Sequence, residues 1–260
     1  MTKEIIFTAL ICGLTWAVLR DGWLLQVRKL DMRPPGNALI MAALSIAAAV
    51  YFWGISGGIA IIVCIVVHEF GHVAAFRVSG HPDATFRLIP LMGGVAISKT
   101  APKTDLHQFY ISIMGPGICL ALMLVAFQLE IYFRYINPDI AYFFSNLGRI
   151  TATINFFNLL PIWPLDGGKI MRILTQGFLP KTTFYTTIIA CVLFAIFGML
   201  SRSVFIVVIS VIGIKGALNM PKYRVRHGLS VGQLLQATGA YLAMLGAFAL
   251  GSIQFIFAYL

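Results

Sequence analysis

The chain has 260 residues, of which 59% are hydrophobic and only 11% are charged. A soluble domain carries about 25% charged residues, so this one has too few to solvate a globule of its size. It is also too apolar for a disordered tail. The formal net charge of +10 is not gathered on one amphipathic face, which argues against a nucleic-acid partner.

A membrane-spanning helix takes about 20 mostly apolar residues. On that measure the sequence predicts spans near 5–19, 38–54, 58–76, 106–129, 140–162, 183–200, 203–218 and 233–259. The first run has one Lys, an early Glu4 and no small-residue cleavage site before Arg20, so it reads as an anchor rather than a signal peptide. Residues 20–30 mix basic and apolar side chains and read equally as an interfacial segment on anionic lipid or as a determinant of topology. Between Arg87 and Lys99, two short apolar segments flank Gly93-Gly94. They predict a β-hairpin too short to span. Gly115-Pro116-Gly117 interrupts the span 106–129, for close helix approach or for a kink. The four cysteines, Cys12, Cys64, Cys119 and Cys191, all fall in apolar runs and read as packing residues. His81, His107 and His227 lie in gaps or at span ends and are expected on the surface. The last three spans carry no identifiable chemistry; supporting the core, gating substrate entry and binding a partner stand as alternatives for them.

Fifteen of the nineteen Lys and Arg fall in the gaps 20–36, 77–105, 164–182 and 215–231. The positive-inside rule assigns those gaps to the cytoplasm, and eight spans then leave both termini outside. The gaps are all shorter than a soluble domain of about 50 residues. The expectation is one membrane domain over 1–260, with a core at 58–175, N-terminal spans in 1–57 and accessory spans in 176–260.

Within the span 58–76 stands His68-Glu69-Phe70-Gly71-His72. Two His at i and i+4 share a helix face and suit one zinc ion, and the Glu beside them is placed to take a proton from the attacking water. Ionisable groups in a span are costly and seldom idle. A catalytic zinc takes three protein ligands, and acids near the apolar runs are scarce. Of Glu130, Asp139 and Asp166, the first two flank the outer ends of their spans, so Asp166 is the expected third ligand; Cys64, one turn before His68 on the same face, is the lesser alternative and reads first as packing. It follows Asn158-Leu159-Leu160-Pro161-Ile162-Trp163-Pro164-Leu165 and precedes Gly167-Gly168. Two prolines break the helix there, and an unwound backbone at membrane depth is tolerated only where protein or a water cavity receives it. Asn155, one turn before Asn158, either lines the same cavity or bonds a neighbouring helix.

An HExxH in one span, with N-x-x-P-x-x-P-L-D-G closing a later one, resembles the site-2 protease family of intramembrane zinc metalloproteases. The resemblance covers residues 58 to 175. It implies an all-α polytopic membrane protein with a short re-entrant β-hairpin, and one catalytic zinc held by His68, His72 and Asp166. It implies Glu69 as general base and Asn158 near the reaction, in substrate or oxyanion contact. Gly115-Pro116 matches a recurrent G-P of the family. The chain resembles a compact member, with room for neither a PDZ nor a CBS domain. The N-L-L-P-I-W-P-L-D-G-G form is similar to the branch that processes sporulation sigma factors, though one motif assigns no substrate. The expected partners are transmembrane protein substrates and the lipid bilayer, with no nucleic acid. The expected setting is the cytoplasmic membrane of a prokaryote, with the site toward the cytoplasm. The alternatives are a membrane protein that binds or transports zinc without proteolysis, and an inactive scaffold.

Overall fold

The computed structural model describes residues 2–24, 38–89, 93–176, 178–202, 204–220 and 227–258. Eight helices and one hairpin follow in the order α1 (Thr2–Leu24), α2 (Ala38–Val78), β1 (Thr85–Ile89), β2 (Gly93–Ile97), α3 (Asp105–Phe133), α4 (Pro138–Asn158), α5 (Asp166–Thr175), α6 (Thr182–Leu200), α7 (Val204–Leu218) and α8 (Val231–Ala258). The fold is all-α apart from that hairpin. Among the described residues, five helices are long and apolar enough to cross a membrane: α1, α2, α3, α6 and α8. This is a multi-pass membrane protein. The expected interfacial segment is helical as far as Leu24, and its remainder lies outside the described residues.

The predicted spans 38–54 and 58–76 both fall in α2, which is broken at Gly54 (φ 70°, ψ 174°). A positive φ is cheap only for glycine. A Cβ placed on Gly58 would run into the backbone of Ala49 and Val50. Residues eight apart on one straight helix stand about 12 Å apart, so the chain doubles back at Gly54 into two antiparallel limbs.

The chain divides into two compact units. The first comprises Met1–Pro102, Met114–Phe156 and Gly246–Leu260. Its core gathers Ala60, Ala126, Leu147 and Ile150, with Ile61, Val63, Leu122, Phe143, Phe144 and Ile154 against them. The helix α4 is the polar member of the set. It buries Ser145, Thr151 and Asn155 among its small and apolar residues, as suits a helix surrounded by protein rather than lipid. The expected span 140–162 ends early, at Asn158, because Pro161 and Pro164 cannot supply the backbone donors a further turn needs.

The second unit comprises Lys103–Ile113 and Phe157–Leu245. In it α6 and α7 form a helical hairpin, closed where Gly198 meets Ile206 and Val207. The short α5 buries Ile170, Ile173 and Leu174.

Candidate metal centre

In the first unit His68, Glu69 and His72 ride on the second limb of α2, with 5%, 7% and 6% of their surface exposed. The helical spacing turns both imidazoles to one face, and their Nε2 atoms stand 3.1 Å apart. Two nitrogens bound tetrahedrally to one zinc at about 2.0–2.1 Å would be separated by about 3.3–3.4 Å. The pair therefore fits a shared zinc with almost no rearrangement.

Three glycines clear the space around this motif. A Cβ on Gly71 would strike the carbonyl of Met114 in α3, so the glycine inside the motif lets α2 and α3 meet backbone to backbone. A Cβ on Gly115 would overlap the His72 imidazole. Of the two readings of Gly115-Pro116-Gly117, close approach is the one realised at Gly115, and α3 runs on from Asp105 to Phe133 with Pro116 inside it. A Cβ on Gly94 would collide with the Glu69 side chain, so β2 passes directly against the expected base.

The hairpin differs in detail from its prediction. Its strands pair antiparallel with Thr85 opposite Ile97 and Ile89 opposite Gly93. Gly93-Gly94 therefore opens β2 instead of forming the turn, whose residues 90–92 lie outside the described ones. A glycine is needed in the strand because Glu69 occupies the space where a side chain would stand. The base of the hairpin is tied to the end of α2. Asp83 accepts from the Lys99 backbone N–H (2.6 Å) and the Ser98 hydroxyl (3.2 Å). The Lys99 backbone bond first, then Asp83's own backbone N–H, the Ser98 hydroxyl and the nearby His81, hold the Asp83 carboxyl below its ordinary range. A carboxylate with a depressed pKa keeps its contribution above the ordinary value near 3.8 and loses it only as pH falls lower still. His81 corrects an expectation: it is buried rather than on the surface, with Nδ1 2.9 Å from the Thr100 hydroxyl. The turn after α2 folds it beneath the end of β2.

Asn155, on α4, reaches His68. Its Oδ1 lies 2.8 Å from His68 Nδ1, while its Nδ2 donates to the Thr151 carbonyl at 2.8 Å and to Cys64 Sγ at 3.7 Å. The sequence left two roles open for this residue, and the interhelical bond is the one present. Cys64 is buried one turn before His68, as a packing residue should be.

In the second unit Asp166 opens α5 and is 3% exposed. A carboxylate in the first turn is favoured by the positive end of the helix dipole. Asn158 Nδ2 donates to its Oδ2 at 2.8 Å, and Lys169 Nζ donates to its Oδ1 at 2.8 Å. The backbone between Asn158 and Asp166 is irregular, and its orphaned groups have partners from the C-terminal helices. In a continuous helix the Trp163 N–H would donate to the Leu159 carbonyl. Here Trp163 N donates to Thr187 Oγ1 (2.9 Å), and the Leu159 carbonyl accepts from the Tyr241 hydroxyl (2.7 Å). Thr186 Oγ1 also donates to the Pro161 carbonyl at 3.0 Å. Arg172 stacks its guanidinium 5.2 Å from the Trp163 ring centre. The spans α6 and α8 thus brace the segment that carries Asn158 and Asp166. Tyr241→Phe leaves the buried Leu159 carbonyl without its partner. It is expected to destabilise the protein by about 1–3 kcal/mol, read as a lower unfolding temperature of the detergent-solubilised protein.

Residues 134–201 match the family described as peptidase family M50, a stretch that contains Asn158 and Asp166. The chain is 28% identical over 184 residues to a zinc metalloprotease of Methanocaldococcus jannaschii, across 69% of this chain and 53% of that protein. It is 31% identical over 189 residues to stage IV sporulation protein FB of Bacillus subtilis, across 68% of this chain and 62% of that one. Among solved structures it is similar to a site-2 protease from Methanocaldococcus jannaschii, with 25% identity and a TM-score of 0.48, over 74% of this chain and 88% of that one. The chain thus spans between half and two thirds of the length of these two curated relatives.

Proposed function

We propose that this chain is a zinc metalloprotease of the peptidase M50 kind, as the match over residues 134–201 and the similar zinc metalloprotease of Methanocaldococcus jannaschii support, and that it acts as an intramembrane endopeptidase. Its substrates on this reading are membrane-anchored proteins, cut in or near their transmembrane segments. The observation that carries the proposal is the convergence of two buried imidazole nitrogens at 3.1 Å, beside a buried carboxylate, on a helix apolar enough to span. Packing alone does not call for a metal-ligand spacing and a potential base at that depth.

The zinc would be held by His68, His72 and Asp166, three buried groups of the right donor chemistry. When bound, it polarises the scissile carbonyl and makes water a nucleophile near neutral pH. Glu69 takes the proton from the attacking water and hands it to the leaving amine as the C–N bond breaks. Asn158 orients Asp166 through the Nδ2–Oδ2 bond, and the family resemblance makes it a polar group near the scissile carbonyl. A transmembrane substrate arrives helical, with its amide shielded. Among the described residues no third strand pairs with the hairpin, and its edge, with Gly94 against Glu69, would hold an unwound segment extended by β-augmentation. The charge asymmetry of the gaps supports a cytoplasmic membrane with the site opening toward the cytoplasm.

Chelation and reloading test the proposal. The purified protein, reconstituted in liposomes with a single-span substrate, is expected to lose cleavage with 1,10-phenanthroline and regain it with Zn²⁺. Stoichiometric zinc without any cleavage would favour the binding or transport reading. A protein without zinc would favour the scaffold.

A further inference from the structure

We infer that Asn155 is a positioning residue for the metal centre: it fixes His68 in the tautomer and ring orientation that present Nε2 to the ion. The inference rests on the proposed zinc site. Asn155 is fully buried, and its two amide atoms have different partners. The Thr151 carbonyl can only accept, so the atom 2.8 Å from it must be the amide nitrogen. The same nitrogen turns toward Cys64 Sγ. That leaves the amide oxygen facing His68 Nδ1 at 2.8 Å. An amide oxygen carries no hydrogen, so Nδ1 must hold the imidazole proton. In the neutral ring Nε2 then bears the lone pair, and Nε2 is the atom that meets its counterpart on His72.

The bond also sets direction. Asn155 lies on α4 and His68 on α2, 87 residues away, so the ring is held from a second helix as well as by its own. A ligating His commonly donates its other N–H to an acceptor of this kind, and removing the acceptor costs about 10- to 100-fold in metal affinity. An opposing account makes Asn155 only a polar contact between α2 and α4. Under that account an apolar residue of the same size would serve as well.

The test uses the full-length protein in detergent, with zinc affinity measured by competition against a chromophoric chelator. Asn155→Leu is expected to lower affinity about 10- to 100-fold. Asn155→Asp, which keeps an acceptor facing Nδ1, is expected to restore most of it. Affinity at the wild-type level in Asn155→Leu overturns the inference, and so does an equal loss in both variants when both unfold at the wild-type temperature. If either variant fails to fold, histidine nitrogen NMR on the zinc-free wild type decides. A neutral His68 protonated on Nδ1 supports the inference, and one protonated on Nε2 overturns it. A wild-type protein that takes up no zinc removes the proposed function, whereas the tautomer measurement still judges Asn155.

Discussion

Glu69→Gln is expected to lower peptide-bond cleavage by about 10²- to 10⁴-fold, the range of a general base, while zinc content stays at the wild-type level. The separation follows from position. Glu69 lies between the two histidines on α2 but is not in the proposed ligand set, and its side chain sits against Gly94 of β2. The amide of Gln fills the same buried space (Glu69 is 7% exposed) and can still hydrogen-bond, but it cannot take up the water's proton. His68→Ala should lose both zinc and activity, so metal analysis beside a cleavage assay distinguishes a lost base from a lost ligand. Retained cleavage in Glu69→Gln would sink the mechanism even if zinc is present. Membrane proteins that accumulate uncut in cells carrying Glu69→Gln would in turn identify the substrate class.

What the sequence makes legible follows from how rare each signal is. In a chain with 9 Asp and Glu and 5 His, an HExxH inside an apolar run stands out, as does an Asp after two prolines. Both are local patterns. The reversal at Gly54 was legible too, because residues 55–57 separate two runs each long enough to span. The partners of these residues were not legible. Spacing along α4 puts Asn155 one turn from Asn158, but nothing local points it at a histidine 87 positions away. Thr187 and Tyr241 look like ordinary polar residues of apolar helices. Their significance appears only once the Trp163 N–H and Leu159 carbonyl are known to have lost each other. The burial of His81 is hidden for a related reason: a residue in a short charged gap defaults to the surface unless a later strand end, here Ser98 to Thr100, folds over it. A glycine pair flanked by two short apolar segments points by itself to the turn of a hairpin. The Glu69 side chain, a tertiary neighbour, is what requires glycine at 94.

The same argument from space gives the second large effect. Gly115→Ala adds one methyl group where the His72 imidazole lies, and the overlap is with the ring itself rather than with backbone. The side chain is the movable partner, so His72 is expected to swing away while α3 keeps its course. Alanine in place of glycine favours a helix by about 1 kcal/mol, which offsets part of the about 1–3 kcal/mol that overpacking costs, so the variant should still fold. A misplacement of about 1 Å costs about 100-fold at a catalytic centre. Cleavage should therefore fall by about that factor, and zinc affinity should fall with it, in a protein that remains folded. Gly239→Ala is the control: it makes the same exchange within α8, where an added Cβ meets nothing within 4 Å, and it should leave metal and activity alone. Equal behaviour of the two variants would mean that His72 has room to spare. In that case the fit of the paired imidazoles to a single ion would not depend on the close approach of α3.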